Sequence, residues 1–134
     1  IKEQIRISAG LPISVKQEEI QVKGHAIECR INAENPKKNF MPCPGKIENL
    51  YLPGGNGVRI DTAVYSGYQI PPNYDSMIVY DKDRESAIAK MRSTLVEVVI
   101  EGVQTNLDFQ YDILNQKDFL EGNVTTHFIE EHYE

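Results

Sequence analysis

Apolar and polar residues alternate without interruption over eight positions near the start of the chain, and no other feature constrains the fold as strongly. The apolar series is Ile27, Cys29, Ile31 and Ala33, and the polar series between them is Glu28, Arg30, Asn32 and Glu34. Successive side chains of a β-strand point to opposite faces of a sheet, so this stretch predicts a half-buried strand. Strands with one apolar and one polar face are typical of antiparallel sheets.

Further strands are predicted in the middle of the chain, over residues 47–52, 58–64 and 76–80. The glycine-rich segment 54–57 predicts a turn between the first two of these strands. The segment 66–73, which contains a glycine and two adjacent prolines, predicts a loop before the third.

Helices are predicted mainly in the second half of the chain. A helix over residues 84–99 is predicted from helical spacing, with Asp83 as its N-cap; its apolar positions are Ile88, Met91, Leu95 and Val98. Because the strands come first and the helices later, the fold class is predicted to be α+β, with an antiparallel β-sheet followed by C-terminal helices.

Shorter helical segments are predicted from capping residues and stop signals. Residues 1–9 resemble the end of a helix, stopped by a glycine and a proline. One short helix is expected to be capped by Thr105 or Asn106, and a last one by Thr125 or Thr126. A turn is expected over residues 119–122.

The composition excludes several classes of protein. The chain has 134 residues, with 14 basic and 20 acidic side chains and a formal net charge of −6. That charge argues against nucleic acid as a partner, because such binders need a basic stripe. No apolar run approaches the roughly 18 residues of a membrane-spanning helix, and the charged start does not resemble a signal peptide. Two cysteines are too few for a disulfide framework, so a cytoplasmic location is expected.

Motifs for phosphate or metal binding are weak in this sequence. The segment 54–57 lacks the Lys-Ser/Thr of a phosphate-binding loop and precedes a strand rather than a helix. A turn that needs a glycine at positive φ is therefore the favoured interpretation. The two cysteines lie far apart and the three histidines lack the spacing of zinc ligands, so no metal site is predicted.

Arg59 is the residue that the pattern alone marks as a candidate for chemistry. It follows the glycine turn and shares the polar face of the predicted strand with Asp61. A guanidinium held there could stabilise an enolate, a phosphate or a carboxylate through charge-assisted hydrogen bonds. It could equally form a salt bridge to Asp61 or to another acid. For the polar series 28–34, anion binding or proton transfer competes with a framework of cross-strand ion pairs, which is favoured.

Five motifs, in order along nearly the whole chain, carry a resemblance to a known family. They are GHAIECRINAENP at 24–36, FMPCPGKI at 40–47, GVRID at 57–61, YDSM at 74–77 and EGVQTN at 101–106. Together they resemble the C-terminal domain of biotin carboxylases. Their wording is nearer to the bacterial acetyl-CoA carboxylase subunit than to pyruvate carboxylase.

The resemblance implies part of an ATP-dependent ligase that carries out the first half-reaction of acetyl-CoA carboxylase, in fatty-acid synthesis. ATP activates bicarbonate as carboxyphosphate, and N1 of biotin captures the released carbon dioxide. The implied ligands are ATP, Mg²⁺ or Mn²⁺, biotin and bicarbonate, with ATP and metal bound mostly by an N-terminal part. The implied partners are the biotin carboxyl carrier protein, a carboxyltransferase and a second copy in a homodimer, with the stretch around Arg84 and Glu101 in the dimer contact.

Two positions in the matched motifs inherit implied roles in the active site. Arg59 corresponds to the catalytic arginine that stabilises the biotin enolate when N1 loses its proton. Such a charge needs a fixed cation in a site poor in water. Thr126 stands where some relatives place an aliphatic residue near the adenine of ATP. For the polar series 28–34 the resemblance implies framework roles.

The resemblance also implies a domain division and a barrel-like sandwich of antiparallel strands. Residues 1–20 are expected to be the end of an ATP-grasp region and a connector, and residues 21–134 the C-terminal domain. The chain begins without Met and is expected to be a piece of a longer protein, inactive alone. Relatives continue through a small residue and a lysine after Ile78, so a few residues are expected to be missing between Ile78 and Val79.

Two other interpretations stay open. The domain could be a non-catalytic module for assembly or dimerisation. Alternatively, it could be the same domain of a pyruvate, propionyl-CoA or methylcrotonyl-CoA carboxylase, because nothing in this stretch reads the acyl substrate.

Overall fold

A computed structural model describes residues 1–70 and 74–133, and of residues 74–80 the backbone alone. The helices are α1 Lys2–Ser8, α2 Arg84–Glu97, α3 Leu107–Ile113, α4 Lys117–Glu121 and α5 Phe128–Tyr133. The strands are β1 His25–Asn32, β2 Glu34–Asn35, β3 Met41–Pro42, β4 Gly45–Lys46, β5 Asn49–Tyr51, β6 Val58–Asp61, β7 Gln69–Ile70, β8 Tyr74–Asp81 and β9 Val99–Glu101. Two short 3₁₀ helices cover Gln17–Glu19 and Pro36–Lys38.

The central sheet is antiparallel and has the strand order β1-β8-β6. The alternation that predicted β1 is confirmed, because Cys29 and Ile31 are buried while Glu28 and Arg30 are exposed. The apolar face of β1 joins a core with Met91 and Leu95 of α2 and with other buried residues, Val98 and Leu114. The α+β class with an antiparallel sheet and C-terminal helices is therefore confirmed.

The expected barrel-like closure is absent from the described strands. The central sheet ends at β1 and β6, which each pair only with β8 within it. The other ladders, β2-β3, β4-β7 and β5-β9, are separate two-stranded pairs. Closing a sheet into a barrel requires its edge strands to pair, so the described arrangement is open.

The expected interruption after Ile78 is wrong, since β8 runs without a break. Ile78 and Val79 pair with consecutive residues of β1, Glu28 and Ile27. The same two residues pair with Arg59 and Val58 of β6. An unbroken register on both sides requires bonded neighbours, so the strand itself is short at this point.

Two boundaries differ from the sequence prediction for local reasons. The predicted strand 58–64 ends at Asp61, where the Thr62 hydroxyl accepts a hydrogen bond from the Val64 amide at 3.2 Å. Such local bonds compete with strand ladders. The predicted helix 84–99 ends at Glu97, because Val98 is extended and leads into β9. A run of β-branched residues favours that extended backbone.

The shorter helices are found near their predicted places. The Asp83 carboxylate caps α2 by accepting the Ser86 amide at 2.8 Å, as predicted. Residues predicted as a turn at 119–122 mostly belong to α4, which ends at Gly122 with φ 82°. Of the predicted loop 66–73, residues 69–70 form β7 and residues 71–73 lie outside the described part. No helix among the described residues is long and apolar enough to span a membrane.

Candidate functional site

Arg59 lies on β6, an edge strand of the central sheet, and projects from its exposed face. The neighbouring residues Val58 and Ile60 are partly buried and pack against the core. The strand is reached through a tight turn in which the Val58 amide donates to the Gly55 carbonyl at 3.1 Å. Gly57 within this turn has φ 76°, a conformation that favours glycine, so the predicted turn is confirmed.

The guanidinium of Arg59 is bound by Asp61, two residues further along the same face. Nε and Nη2 both donate to Oδ1 of Asp61 at 3.1 Å, and Nε lies 3.0 Å from Oδ2. The Arg59 side chain is 72% exposed and the Asp61 side chain 47%. The salt bridge that the sequence offered as one alternative is thus present, and it leaves most of the guanidinium open to solvent.

The polar end of β1 forms an amide network rather than a ladder of ion pairs. The buried side chain of Asn106 donates to the Glu34 carboxylate at 2.9 Å and to the Arg30 carbonyl at 3.2 Å. Its oxygen accepts the Asn32 amide at 2.9 Å, and the Asn32 side chain also donates to Glu34 at 3.3 Å. Arg30 and Asn32 are tied to the framework, as favoured, but through hydrogen bonds to an asparagine that sequence analysis treated only as a helix cap.

Thr126 lies in an exposed turn just before α5. The contacts that fix this turn belong to its neighbour: the Thr125 hydroxyl accepts the His127 amide at 3.1 Å, and the Thr125 carbonyl accepts the Phe128 amide at 3.2 Å. Thr125 is therefore the capping residue of the pair that was predicted. The side chain of Thr126 is left facing solvent, on the side of the domain that α5 forms.

The sequence predicted that His127 and His132 would not act together, and they make separate contacts. His127 Nδ1 lies 3.0 Å from the Glu130 carboxylate. His132 Nε2 lies 3.0 Å from Oδ2 of Asp118, which raises the pKa of His132 and lowers the pKa of Asp118. The second contact links α5 to α4.

Arg84, expected at a dimer contact, is engaged inside the chain. Its guanidinium donates to the carbonyls of Leu120, at 2.9 Å, and of Phe119, and stacks over the Phe119 ring at 4.9 Å from the centroid. These contacts satisfy the last carbonyls of α4. The side chain of Glu101 is exposed, whereas its carbonyl accepts the Glu48 amide at 2.8 Å.

A groove of about 890 Å³ lies between the 3₁₀ turn at Pro36–Lys38, α3 and α5. Three of its lining residues form an aromatic row, with Phe109 edge-to-face against Phe40 at 5.1 Å and against Tyr133 at 4.8 Å. Burial raises the pKa of the Tyr133 hydroxyl to about 12. Arg59 does not line this groove, so the two features are separate.

The described residues do not fit a metal site. Across residues 1–70 and 74–133, no three His, Cys, Asp or Glu side chains are grouped so that they could hold an ion. Both cysteines are free thiols, and burial raises the pKa of Cys29 to about 12. The Mg²⁺ implied by the resemblance therefore finds no ligand set in this part of the chain.

Comparison with known proteins gives one consistent result. The biotin carboxylase of Haemophilus influenzae is 53% identical over 134 aligned residues, which cover 97% of this chain and 30% of that protein. A pyruvate carboxylase subunit of Methanothermobacter thermautotrophicus is 48% identical, covering 98% of this chain and 28% of that protein. The chain thus spans about 30% of the length of its curated relatives.

Solved structures agree with the sequence relatives. The biotin carboxylase domain dimer of the 2-oxoglutarate carboxylase from Hydrogenobacter thermophilus, in complex with MgADP, ADP and bicarbonate, superposes with a TM-score of 0.90 at 46% identity. The match covers 96% of this chain and 29% of that one. The family model of the biotin carboxylase C-terminal domain matches residues 28–131. The chain belongs to the biotin carboxylase C-terminal domain family.

Proposed function

We propose that this chain is the C-terminal part of an ATP-dependent biotin carboxylase, which transfers carbon dioxide from bicarbonate to biotin on a carrier protein. In this proposal residues 1–20 are the end of an ATP-grasp region and a connector, and residues 21–134 are the C-terminal domain. Relatives from three kinds of carboxylase, acting in biotin, pyruvate and 2-oxoglutarate carboxylation by name, support the shared step.

The observation that carries the proposal is the exposed guanidinium of Arg59, held in place at the edge of the central sheet. Removal of the N1 proton from biotin places negative charge on the ureido oxygen. Arginine stays protonated throughout such a reaction, so it can stabilise that charge without changing its own state. We assign this role to Arg59.

The remaining chemistry is assigned to the other part of the enzyme. The neighbouring structure that holds MgADP and bicarbonate supports ATP, Mg²⁺ or Mn²⁺ and bicarbonate as ligands of the complete protein. The present residues supply no cluster for the metal, so its ligands would come from outside the described part of the chain. Thr126, exposed in the turn before α5, is the residue we place nearest to the adenine.

We further propose that the parent enzyme is the biotin carboxylase subunit of a cytoplasmic acetyl-CoA carboxylase, acting in fatty-acid synthesis with a biotin carboxyl carrier protein and a carboxyltransferase. The relatives named biotin carboxylase support this assignment, with identities that reach 53%. A homodimer is part of the proposal, and the dimeric structure of the Hydrogenobacter domain supports it. Because Arg84 is engaged within the chain, we expect its neighbours rather than its guanidinium to contact the partner.

The test uses a reconstituted enzyme, in which this chain replaces the matching C-terminal segment of the Haemophilus influenzae relative. The Arg59→Ala variant should reduce carboxylation of free biotin by about 10²-fold to 10³-fold, the usual effect of removing a donor from a developing oxyanion. Bicarbonate-dependent ATP hydrolysis without biotin should be unchanged. Lys117→Ala is the matched control, because Lys117 is another exposed cation in an ion pair.

The outcomes separate the two classes of function. Loss of biotin carboxylation in Arg59→Ala with normal ATP hydrolysis supports the catalytic role. Wild-type carboxylation in the same variant would mean that the domain serves assembly alone. Carboxylation of the carrier protein of acetyl-CoA carboxylase, measured against the carrier of pyruvate carboxylase, tests the identity of the parent.

A further inference from the structure

We propose that Asp61 is a positioning residue, which orients the guanidinium of Arg59 toward the biotin ureido oxygen. This inference rests on the proposed function of Arg59 and adds a residue to which neither the family match nor the sequence motifs assign a role. It starts from the contact between the two side chains, in which both Nε and Nη2 of Arg59 lie 3.1 Å from Oδ1 of Asp61.

The contact determines which edge of the guanidinium is free. Arginine has five N–H donors in a fixed planar fork. Asp61 takes the Nε donor and one Nη2 donor, on the inner edge of the fork. The other Nη2 donor and both Nη1 donors point away from Asp61. Among the described residues no acceptor binds these three donors, so an incoming oxygen anion would meet an oriented, unoccupied edge.

The strand fixes the relative position of the two side chains. Residues two apart on a strand share a face, so Arg59 and Asp61 project side by side. Val58 and Ile60 project to the opposite face and pack against the core. The backbone register is set by the pairs Val58↔Val79 and Ile60↔Met77. A shift of one residue would bury both charges, so the apolar pair holds the charged pair in place.

The exposure of the pair argues for a role beyond stability. With side chains 72% and 47% exposed, such an ion pair contributes little to the free energy of unfolding. What it does change is the freedom of a long side chain, because arginine loses much rotamer entropy when it binds a ligand. A carboxylate that restricts the side chain beforehand reduces that loss when biotin binds. Orientation of this kind affects reaction rates strongly.

The experiment compares Asp61→Asn and Asp61→Glu in the reconstituted enzyme. Asparagine keeps the size of the side chain but removes the charge, and glutamate keeps the charge but moves the guanidinium by one methylene. We expect both variants to lower kcat/KM for biotin by about 10-fold to 100-fold, within the range for a misplaced catalytic group. Bicarbonate-dependent ATP hydrolysis and the melting temperature should stay at wild-type values. Glu121→Gln, which breaks the exposed pair with Lys117, is the matched control.

A second readout follows the guanidinium itself and does not depend on activity. In the 134-residue chain, the Nε–H signal of Arg59 should exchange slowly with water and show restricted rotation in NMR spectra. In Asp61→Asn the same signal should broaden and exchange faster. In the double variant Arg59→Ala/Asp61→Asn, carboxylation should be no lower than in Arg59→Ala, because Asp61 acts only through Arg59.

Each outcome bears on one proposal or on both. If Arg59→Ala is inactive and Asp61→Asn has wild-type kcat/KM, the positioning role of Asp61 is wrong and the role of Arg59 stands. An additional loss in the double variant would also overturn the positioning role. If Arg59→Ala carboxylates biotin normally, both proposals fail together.

Discussion

His132 and Asp118 join the last two helices through a contact that requires a charged histidine. Nε2 of His132 lies 3.0 Å from the Asp118 carboxylate, and Nδ1 lies 2.9 Å from the Phe128 carbonyl. Both partners are pure acceptors, so both ring nitrogens must carry protons to satisfy them. The imidazolium also stacks on the Phe128 ring, with centroids 4.3 Å apart.

This contact predicts a defined pH dependence of stability. The Asp118 carboxylate and then the Phe128 carbonyl raise the pKa of His132 above 6.5, so its contribution is full below that value and is lost as pH rises through the raised pKa. The hydrogen bond from His132 lowers the pKa of Asp118 below 3.8, so that contribution is full above 3.8 and is lost in acid. The pair is therefore fully effective between those two values.

The Asp118→Asn variant tests this window. The decrease in the free energy of unfolding should be largest near about pH 5.5 and should nearly vanish near about pH 9. Denaturant unfolding at several pH values measures it, and NMR titration of the His132 ring should show a lower pKa in the variant. Asp108→Asn on α3 serves as control; an equal loss at both pH values for Asp118→Asn would contradict the prediction.

The two cysteines should differ sharply in reactivity. Cys29 is 3% exposed, and burial, with the charge of Glu28, raises its pKa to about 12. Because the thiolate is the reactive form, Cys29 should resist iodoacetamide near neutral pH while Cys43, which is half-exposed, is modified. Peptide mass spectrometry before and after unfolding in guanidinium counts the labelled sites. Labelling of native Cys29 at the rate of Cys43 would show that the core opens easily.

Gly102 should tolerate no side chain. It has φ +95°, and a Cβ there would collide with the Lys46 carbonyl and lie 2.8 Å from the Glu48 amide nitrogen. Gly102→Ala is expected to destabilise the chain by more than about 2 kcal/mol, through backbone strain and the clash together. Gly122→Ala is the matched control, with φ +82° and no atom within 4 Å of the added Cβ. Thermal unfolding of both variants separates the clash from the strain, and equal losses would rule the clash out.

Asn106 should be essential for the end of β1. It is 2% exposed and binds the backbone of Asn32 and Arg30 and the side chain of Glu34. Asn106→Ala leaves buried polar groups unpaired and should cost about 2–4 kcal/mol. Asn106→Asp should also be strongly destabilising, because it faces the Glu34 carboxylate. Asn115→Ala removes an exposed amide and should cost far less, as chemical denaturation can measure.

The elements with regular periodicity could be predicted from the sequence, and the contacts between distant residues could not. Alternation places β1, and apolar spacing with an aspartate cap places α2, because both signals are local. The contact of Arg59 with Asp61 was foreseeable for the same reason, since it spans two residues of one strand. Asn106, by contrast, meets Asn32 across 74 positions. No local pattern distinguishes such an asparagine from an ordinary helix cap.

The boundaries that were wrong follow from competition between local preferences and pairing. The residues of β9 continue an apolar series that fits a helix, and only pairing with β5 makes them a strand. Asn39 and Phe40 both adopt positive φ, which no residue type at these positions announces. The aromatic contact of Phe40 with Phe109 accompanies that conformation.

The short β8 strand serves as a common ruler for the two strands beside it. Ile78 pairs at once with Glu28 of β1 and with Arg59 of β6, so the amide network and the guanidinium are indexed against the same backbone. Because the pleat has a period of two, adding or removing an even number of residues in β8 leaves both neighbours facing as before. An odd number would turn one side over. The length of this strand can therefore vary among relatives in steps of two without inverting the face that carries Arg59.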